Sequence, residues 1–351
     1  MSAKIRKTIT ALFMILVCSV SRGQDNNYVG CTAYYYAGVE VYSPLWNATG
    51  RHPEPQILRR VYEWRPTSDS EKIIFDSNNG GLFPVEVREG RIAFIVQSSD
   101  QPWPVAVIDS KGTVQSEIHN DESILRFGWS PKGDKIAYLT GVRTEMYPNG
   151  IDGKGVWIYD LNSQASEKIA DTGHEISWPS FDNCVYIDVR PDRKDHVVLH
   201  YDPRTKVLEV SDFLGVNFSR NGEYYLYYSE STGFQVFDRH TNSIVRELPG
   251  GTDLTEVLKR IGVCRWLTAS RLYFPLSEPA EPVYRKRHLI LDVESGELRE
   301  SQEIPIGPCG ENAVIVMNKG GGLALQRISQ MQEVSAKDTV LSIPPHPFLE
   351  P

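Results

Sequence analysis

The sequence predicts an all-β fold, a β-propeller of about seven four-stranded blades with six as the alternative. Three observations carry this expectation. Short apolar or alternating runs of four to seven residues are broken throughout by Gly, Pro, Asn, Asp and Ser, with almost no helical periodicity. An aromatic-hydroxyl-turn-strand segment recurs along the chain, and behind each copy comes an apolar strand ending in Asp.

The N-terminus is taken first, because residues 1–23 read as a signal peptide. Lys4, Arg6 and Lys7 form a positive front, and Ile9 to Val20 form an apolar run within the range of a secretory core and too short to span a bilayer. Small residues at Ser21 and Gly23 suggest cleavage before Gln24. Val17 before Cys18 does not suit a lipid-anchoring motif. Residues 24–351 are then expected to form one exported propeller domain, periplasmic or extracellular. The chain carries a net charge of −8, falling to about −12 once Lys4, Arg6, Lys7 and Arg22 are removed, which makes nucleic acid a poor partner. No other stretch is long and apolar enough for a membrane helix.

The repeat is clearest at Trp129-Ser130-Pro131-Lys132-Gly133-Asp134-Lys135-Ile136-Ala137-Tyr138, which recurs as Phe218-Ser219-Arg220-Asn221-Gly222-Glu223-Tyr224-Tyr225-Leu226-Tyr227. Weaker copies start at Trp178 and Trp266, and Arg91-Ile92-Ala93-Phe94 matches the strand half. The spacing of about 40 to 50 residues is that of a propeller blade. The Asp-ended strands are Val105 to Asp109, Val156 to Asp160, Val198 to Asp202, Phe234 to Asp238 and Leu289 to Asp292. An Asp there can accept hydrogen bonds from the amides of the turn that follows, so the five aspartates read as architecture. Strand sets begin near Cys31, Phe83, Trp129, Trp178, Phe218, Trp266 and Cys309. The segment Thr252 to Gly262 alone has helical spacing, enough for a turn or two of helix.

At these residues the chain resembles the TolB-type WD-like propeller repeats, whose unit runs Phe-Ser-Pro-Asp-Gly, a strand, then an Asp-ended strand. The resemblance covers about Phe83 to Leu298. It implies a propeller but no particular function, since such repeats occur in periplasmic scaffolds and in peptidase propellers alike. The stretch from Gln24 to Phe83 leaves too little room for TolB's N-terminal α/β domain, and only Pro344 to Pro351 follow where a hydrolase domain would stand.

Chemistry is sparse in the sequence. Gly128-Trp129-Ser130-Pro131-Lys132-Gly133 has the wrong spacing for a nucleophile elbow, and Pro131 lacks the N–H an oxyanion hole needs. Gly320-Gly321-Gly322 is not followed by the Lys-Ser/Thr of a phosphate loop. No His-x-His or His-Glu-x-x-His occurs; His196 and His200 share a strand face but make a poor zinc pair. No cofactor is expected. The inner strands offer Glu86, Arg126, Glu175, Asn217, Arg265 and Glu311, alternating in sign as if for mutual pairing. Among them Glu86, Glu175 and Glu311 are the candidates should the channel mouth host a hydrolase or lactonase. Two long loops carry the candidate partner-binding residues: Met146, Tyr147 and Pro148 in one, Tyr284 in the other. Cys31 and Cys309, expected on inner strands of the adjoining terminal blades, are the candidate disulfide, and strands near Tyr34 to Tyr36 and Val340 to Ile343 are candidates to complete a shared blade. The function expected is a scaffold binding protein, or else glycan or a small ligand.

Overall fold

The structure is a computed structural model that describes residues 17–20, 31–41, 56–65, 70–77, 81–97, 102–143, 151–189, 197–229, 233–248, 264–278, 285–309, 312–318 and 323–334. The described residues form β-strands joined by turns, with one 3-10 turn, η1 (Ile328–Gln330). The segment Thr252 to Gly262 lies outside the described residues.

The strands build seven antiparallel sheets in chain order. The first contains β1 (Val17–Val20), β2 (Cys31–Val41), β3 (Gln56–Arg65) and β4 (Ser70–Ser77). The second contains β5 (Gly81–Arg88), β6 (Arg91–Gln97), β7 (Val105–Asp109) and β8 (Val114–Ile118). In the third are β9 (Ile124–Trp129), β10 (Lys135–Arg143), β11 (Ile151–Asp160) and β12 (Ala165–Ala170). The fourth holds β13 (Glu175–Ser177), β14 (Val185–Val189), β15 (Val197–Asp202) and β16 (Val207–Val210). The fifth holds β17 (Asn217–Phe218), β18 (Tyr224–Ser229), β19 (Gly233–Asp238) and β20 (Ser243–Glu247). The sixth has β21 (Arg265–Trp266), β22 (Arg271–Glu278), β23 (Arg285–Asp292) and β24 (Leu298–Ser301). The seventh has β25 (Ile304–Pro308), β26 (Ala313–Met317) and β27 (Leu323–Arg327). A final strand, β28 (Gln332–Val334), turns back to pair with β24, making the sixth sheet five-stranded.

Six sheets thus run from Gly81 to Val334, the six-bladed alternative, and the β1–β4 sheet precedes them. Val17–Val20, inside the expected leader, pairs as β1 with Cys31 to Tyr34. The first strands of neighbouring sheets, β5, β9 and β13, lie side by side, which makes them the inner strands.

Each sheet is held to the next by side chains from both. Ile95 and Val107 meet Phe127, Trp129 and Tyr138 between the second and third sheets. Leu139 and Ile158 meet Trp178 and Ile187 between the third and fourth. Val236 meets Trp266 and Leu272 between the fifth and sixth. The repeat aromatics Trp129, Trp178 and Trp266 are all buried there, as their spacing predicts. Fully burying a side chain of this size stabilises by about 1.5 to 3 kcal/mol, so the repeated aromatic is a main anchor of each inter-sheet contact.

The hydroxyl of the repeat has the same task at each strong copy. Ser130 Oγ donates to Asp134 Oδ1 (2.8 Å) and accepts from the Lys135 amide (3.0 Å). Ser219 Oγ donates to Asn221 Oδ1 (2.9 Å) and accepts from the Tyr224 amide (3.0 Å). The glycine of each turn, Gly133 or Gly222, has positive φ (67° and 76°), and its amide donates to the serine carbonyl at 3.0 Å. In the sixth sheet Thr268 Oγ1 accepts from the Arg271 amide (3.1 Å) in the same place.

The aspartates are turn acceptors, as expected. Asp109 accepts from the amides of Lys111 and Thr113, Asp160 from Asn162 and Ser163, Asp202 from Arg204, Asp238 from His240 and Thr241, and Asp292 from Ser295. These bonds hold the carboxyls of Asp109 and Asp238 below the usual range, while for Asp160 and Asp202 the pairing with Lys135 and Arg204 leads.

Candidate functional site

With the repeating residues accounted for, polar groups remain at the centre. Glu86 lies on β5, Arg126 on β9, Glu175 on β13, Asn217 on β17 and Arg265 on β21, so five of the six sequence candidates fall on the first strand of a sheet. Their registers opposite Ala93, Leu139, Asp188, Leu226 and Tyr273 fix where each leaves its sheet.

Three of them come together. Arg126 Nε sits 3.5 Å from Glu175 Oε1, tying the third sheet to the fourth. Glu86 is near enough to Glu175 to feel its charge, and its carboxylate accepts the Trp129 backbone N–H. Burial pushes the Glu86 carboxyl up to about 8 and Glu175 pushes the same way, against the attraction of Arg88 and the Trp129 amide. With its carboxyl raised to about 8, Glu86 favours the protonated form at pH 7 although Arg88 is near it. Two carboxyl groups in such different environments resemble an acid and base pair, one holding a proton and one bound to a guanidinium.

Arg265 stands apart from this group. Its guanidinium lies 5.2 Å from the Tyr273 ring centroid, and burial lowers its pKa. Tyr273 is pushed up to about 12, chiefly by burial, and its hydroxyl hydrogen-bonds His288 Nδ1 at 3.0 Å. His200 faces Glu209 at 3.6 Å; its suggested companion His196 lies outside the described residues. Glu311, Met146, Tyr147, Pro148 and Tyr284 also lie outside the described residues. Among the described residues no three His, Cys, Asp or Glu side chains gather as metal ligands.

Two features escaped the sequence reading. The first is a cavity of about 510 Å³ at the sixth and seventh sheets, floored by Ile290 and Ile328 and edged by Arg271, Arg299, Arg327 and Asn312. Arg271 is paired with Asp292 (3.2 Å), and Arg299 with Glu297 and with the carbonyls of Ser329 and Met331. The second is β16, whose four residues are all exposed though three are apolar: Val207, Leu208 and Val210, the last 69% exposed. Leu214 is exposed nearby, and Ile244 on β20 is half exposed. The sequence itself reads Val207 to Val210 as the outer strand that follows an Asp-ended one; what it did not mark is that these apolar side chains are left uncovered.

No protein-family model and no curated protein sequence matches the chain. Solved structures do. The β-propeller domain of the Trilobed protease from Pyrococcus furiosus, described as having an open velcro topology, is 14% identical with a TM-score of 0.54, over 94% of this chain and 98% of that one. The acylaminoacyl peptidase of Pyrococcus horikoshii is 12% identical with a TM-score of 0.57, over 92% of this chain and 52% of that one. This chain therefore spans about half the length of that peptidase. TolB from Acinetobacter baumannii is 13% identical with a TM-score of 0.43, over 86% and 81% of the two chains. At such identities the likeness shows the fold alone: the chain has a β-propeller fold.

Proposed function

We propose that the protein is an exported β-propeller scaffold that binds a protein partner along the outer edge of β16. The observation that carries this reading is the exposure of Val207, Leu208 and Val210 on one outer strand, paired on one side only by β15 among the described residues. An apolar edge strand left open invites pairing with another chain, and soluble proteins normally blunt such edges unless they are used. Export follows from the leader read at residues 1–23. No helix among the described residues is long and apolar enough to cross a membrane.

A photo-crosslinking residue placed at Leu208, in protein produced in its native host's envelope or medium, tests this. Discrete adducts that disappear in Val207→Lys and Val210→Lys variants of unchanged stability support the reading. Absence of adducts at this position, or adducts indifferent to both changes, overturns it.

A second reading, a channel-mouth hydrolase or lactonase, is favoured by one observation, the raised Glu86 carboxyl beside Glu175. There Glu86 would hold the proton for a leaving group and Glu175 would act as base. Turnover of an ester or lactone panel that is lost in both Glu86→Gln and Glu175→Gln, with bound stoichiometric calcium or zinc in purified protein, would displace the scaffold reading.

A further inference from the structure

Six core clusters join the seven sheets in series: first to second, second to third, and so on to the seventh. At the first junction Val61 and Ile74 meet Ile92 and Phe94, and at the sixth Tyr273 and Ile290 meet Val314 and Val316. Among the described residues no core cluster joins the seventh sheet to the first, and no strand from one end of the chain enters the sheet of the other. The last described strand, β28, returns to the sixth sheet instead. With residues 17–20 in place, β1 lies against both β5 and β25, so the first sheet stands between the second and the seventh.

Cys309 stands at this junction, immediately after β25, with no exposed surface, and it is disulfide-bonded. Cys184 and Cys264 carry thiols. The chain has five cysteines, and the other two, Cys18 and Cys31, both belong to the first sheet. Either choice of partner therefore runs from the seventh sheet to the first. Cys18 falls in the segment read as a leader, whereas Cys31 opens β2, the second strand of its sheet and not the inner one expected from sequence.

We propose that a Cys31–Cys309 disulfide is the latch that joins the first sheet to the last; the stretch Val340 to Ile343, expected to complete a shared blade, lies outside the described residues. The choice of Cys31 over Cys18 rests on the export reading. Forming the bond removes two protons and two electrons from the two thiols, and a disulfide-bearing oxidant of an extracytoplasmic compartment accepts the electrons and leaves as two thiols. The loop so closed takes in most of the chain, the case in which a cross-link restricts the unfolded ensemble most.

The test uses the full-length chain made with its leader and collected from the exported fraction, with thiols alkylated under denaturing conditions before non-reducing peptide mapping. The expected result is a linked Cys31–Cys309 peptide with Cys184 and Cys264 alkylated. Cys309 found alkylated, or linked to any other cysteine, overturns the latch. The N-terminus of the same sample reports the leader separately: an intact leader with Cys31 linked to Cys309 leaves the latch standing and defeats only the cleavage site. As a second measurement, reductant lowers the thermal midpoint of the wild-type protein and leaves that of Cys31→Ser unmoved. A wild-type midpoint insensitive to reductant, with the bond verified as reduced, also defeats the proposal.

Discussion

Arg126 Nε approaches Glu175 Oε1 at 3.5 Å across the boundary between two sheets, and the same Glu175 raises the carboxyl of Glu86 on a third. The three side chains belong to three different strands, and Glu175 is the one that acts on both of the others.

Glu175→Gln removes the like charge that helps to raise Glu86. The Glu86 carboxyl is expected to titrate at lower pH in that variant while staying above an ordinary glutamate, because burial is the larger cause. Carboxyl-carbon NMR titration of labelled protein reads this directly, and an unchanged Glu86 midpoint contradicts the coupling.

Stability should fall with rising pH across the window set by Glu86. In the unfolded chain the group titrates near 4.5, and in the folded protein near 8. Between those values the native state holds the proton and the unfolded state does not, so each step up in pH favours unfolding. Denaturant midpoints for the wild type are expected to drop from pH 5 to pH 8 more than those of Glu86→Gln, with the two curves drawing apart toward alkaline pH. Parallel curves contradict the assignment.

After Asp160, Asp202, Asp238 and Asp292 the turn holds a residue four places on in the left-handed region, whereas after Asp109 it is Gly112, three places on (φ 87°). Gln164 (φ 54°), Lys206 (φ 59°) and Asn242 (φ 52°) occupy it with side chains, whereas the sixth sheet uses Gly296 (φ 76°). The left-handed conformation costs a non-glycine residue roughly 1 to 2 kcal/mol, partly offset by the greater unfolded-state freedom of glycine. Gln164→Gly is therefore expected to stabilise the protein by up to about 1 kcal/mol in equilibrium unfolding. Lys206→Gly also gives up the ion pair with Glu167 (2.7 Å), so its gain should be smaller.

Ser130→Ala and Gly222→Ala separate two roles in the repeat. The first removes an acceptor for the Lys135 amide and should cost about 1 kcal/mol, with no loss of any hydrolytic activity, since the serine's bonds are spent within its turn. The second puts a methyl group 2.1 Å from Phe181 Cδ1 at a positive φ, and should cost more, roughly 1 to 3 kcal/mol. Chemical denaturation of both variants checks the order.

By itself the sequence determined the strand-turn architecture, because its causes are local. A glycine that can adopt positive φ, a serine or threonine five residues or fewer from the amide it caps, and an aspartate within reach of the next turn are all visible as a repeat. The aromatics Trp129, Trp178 and Trp266 could be placed between sheets for the same reason. The placement of Glu86, Arg126 and Glu175 on first strands was legible too, since it follows from which strand comes first in each repeat.

The remaining properties depend on which strands end up neighbours. Spacing alone gave no reason for Glu86 to differ from Glu175; burial of one and the guanidinium beside the other separate them. Likewise β16 reads as an outer strand from its place after the Asp-ended β15, but how far Val207 and Val210 are left uncovered is a matter of what packs beside them. The same holds for Cys309, whose complete burial and disulfide bond depend on what the fold brings beside it.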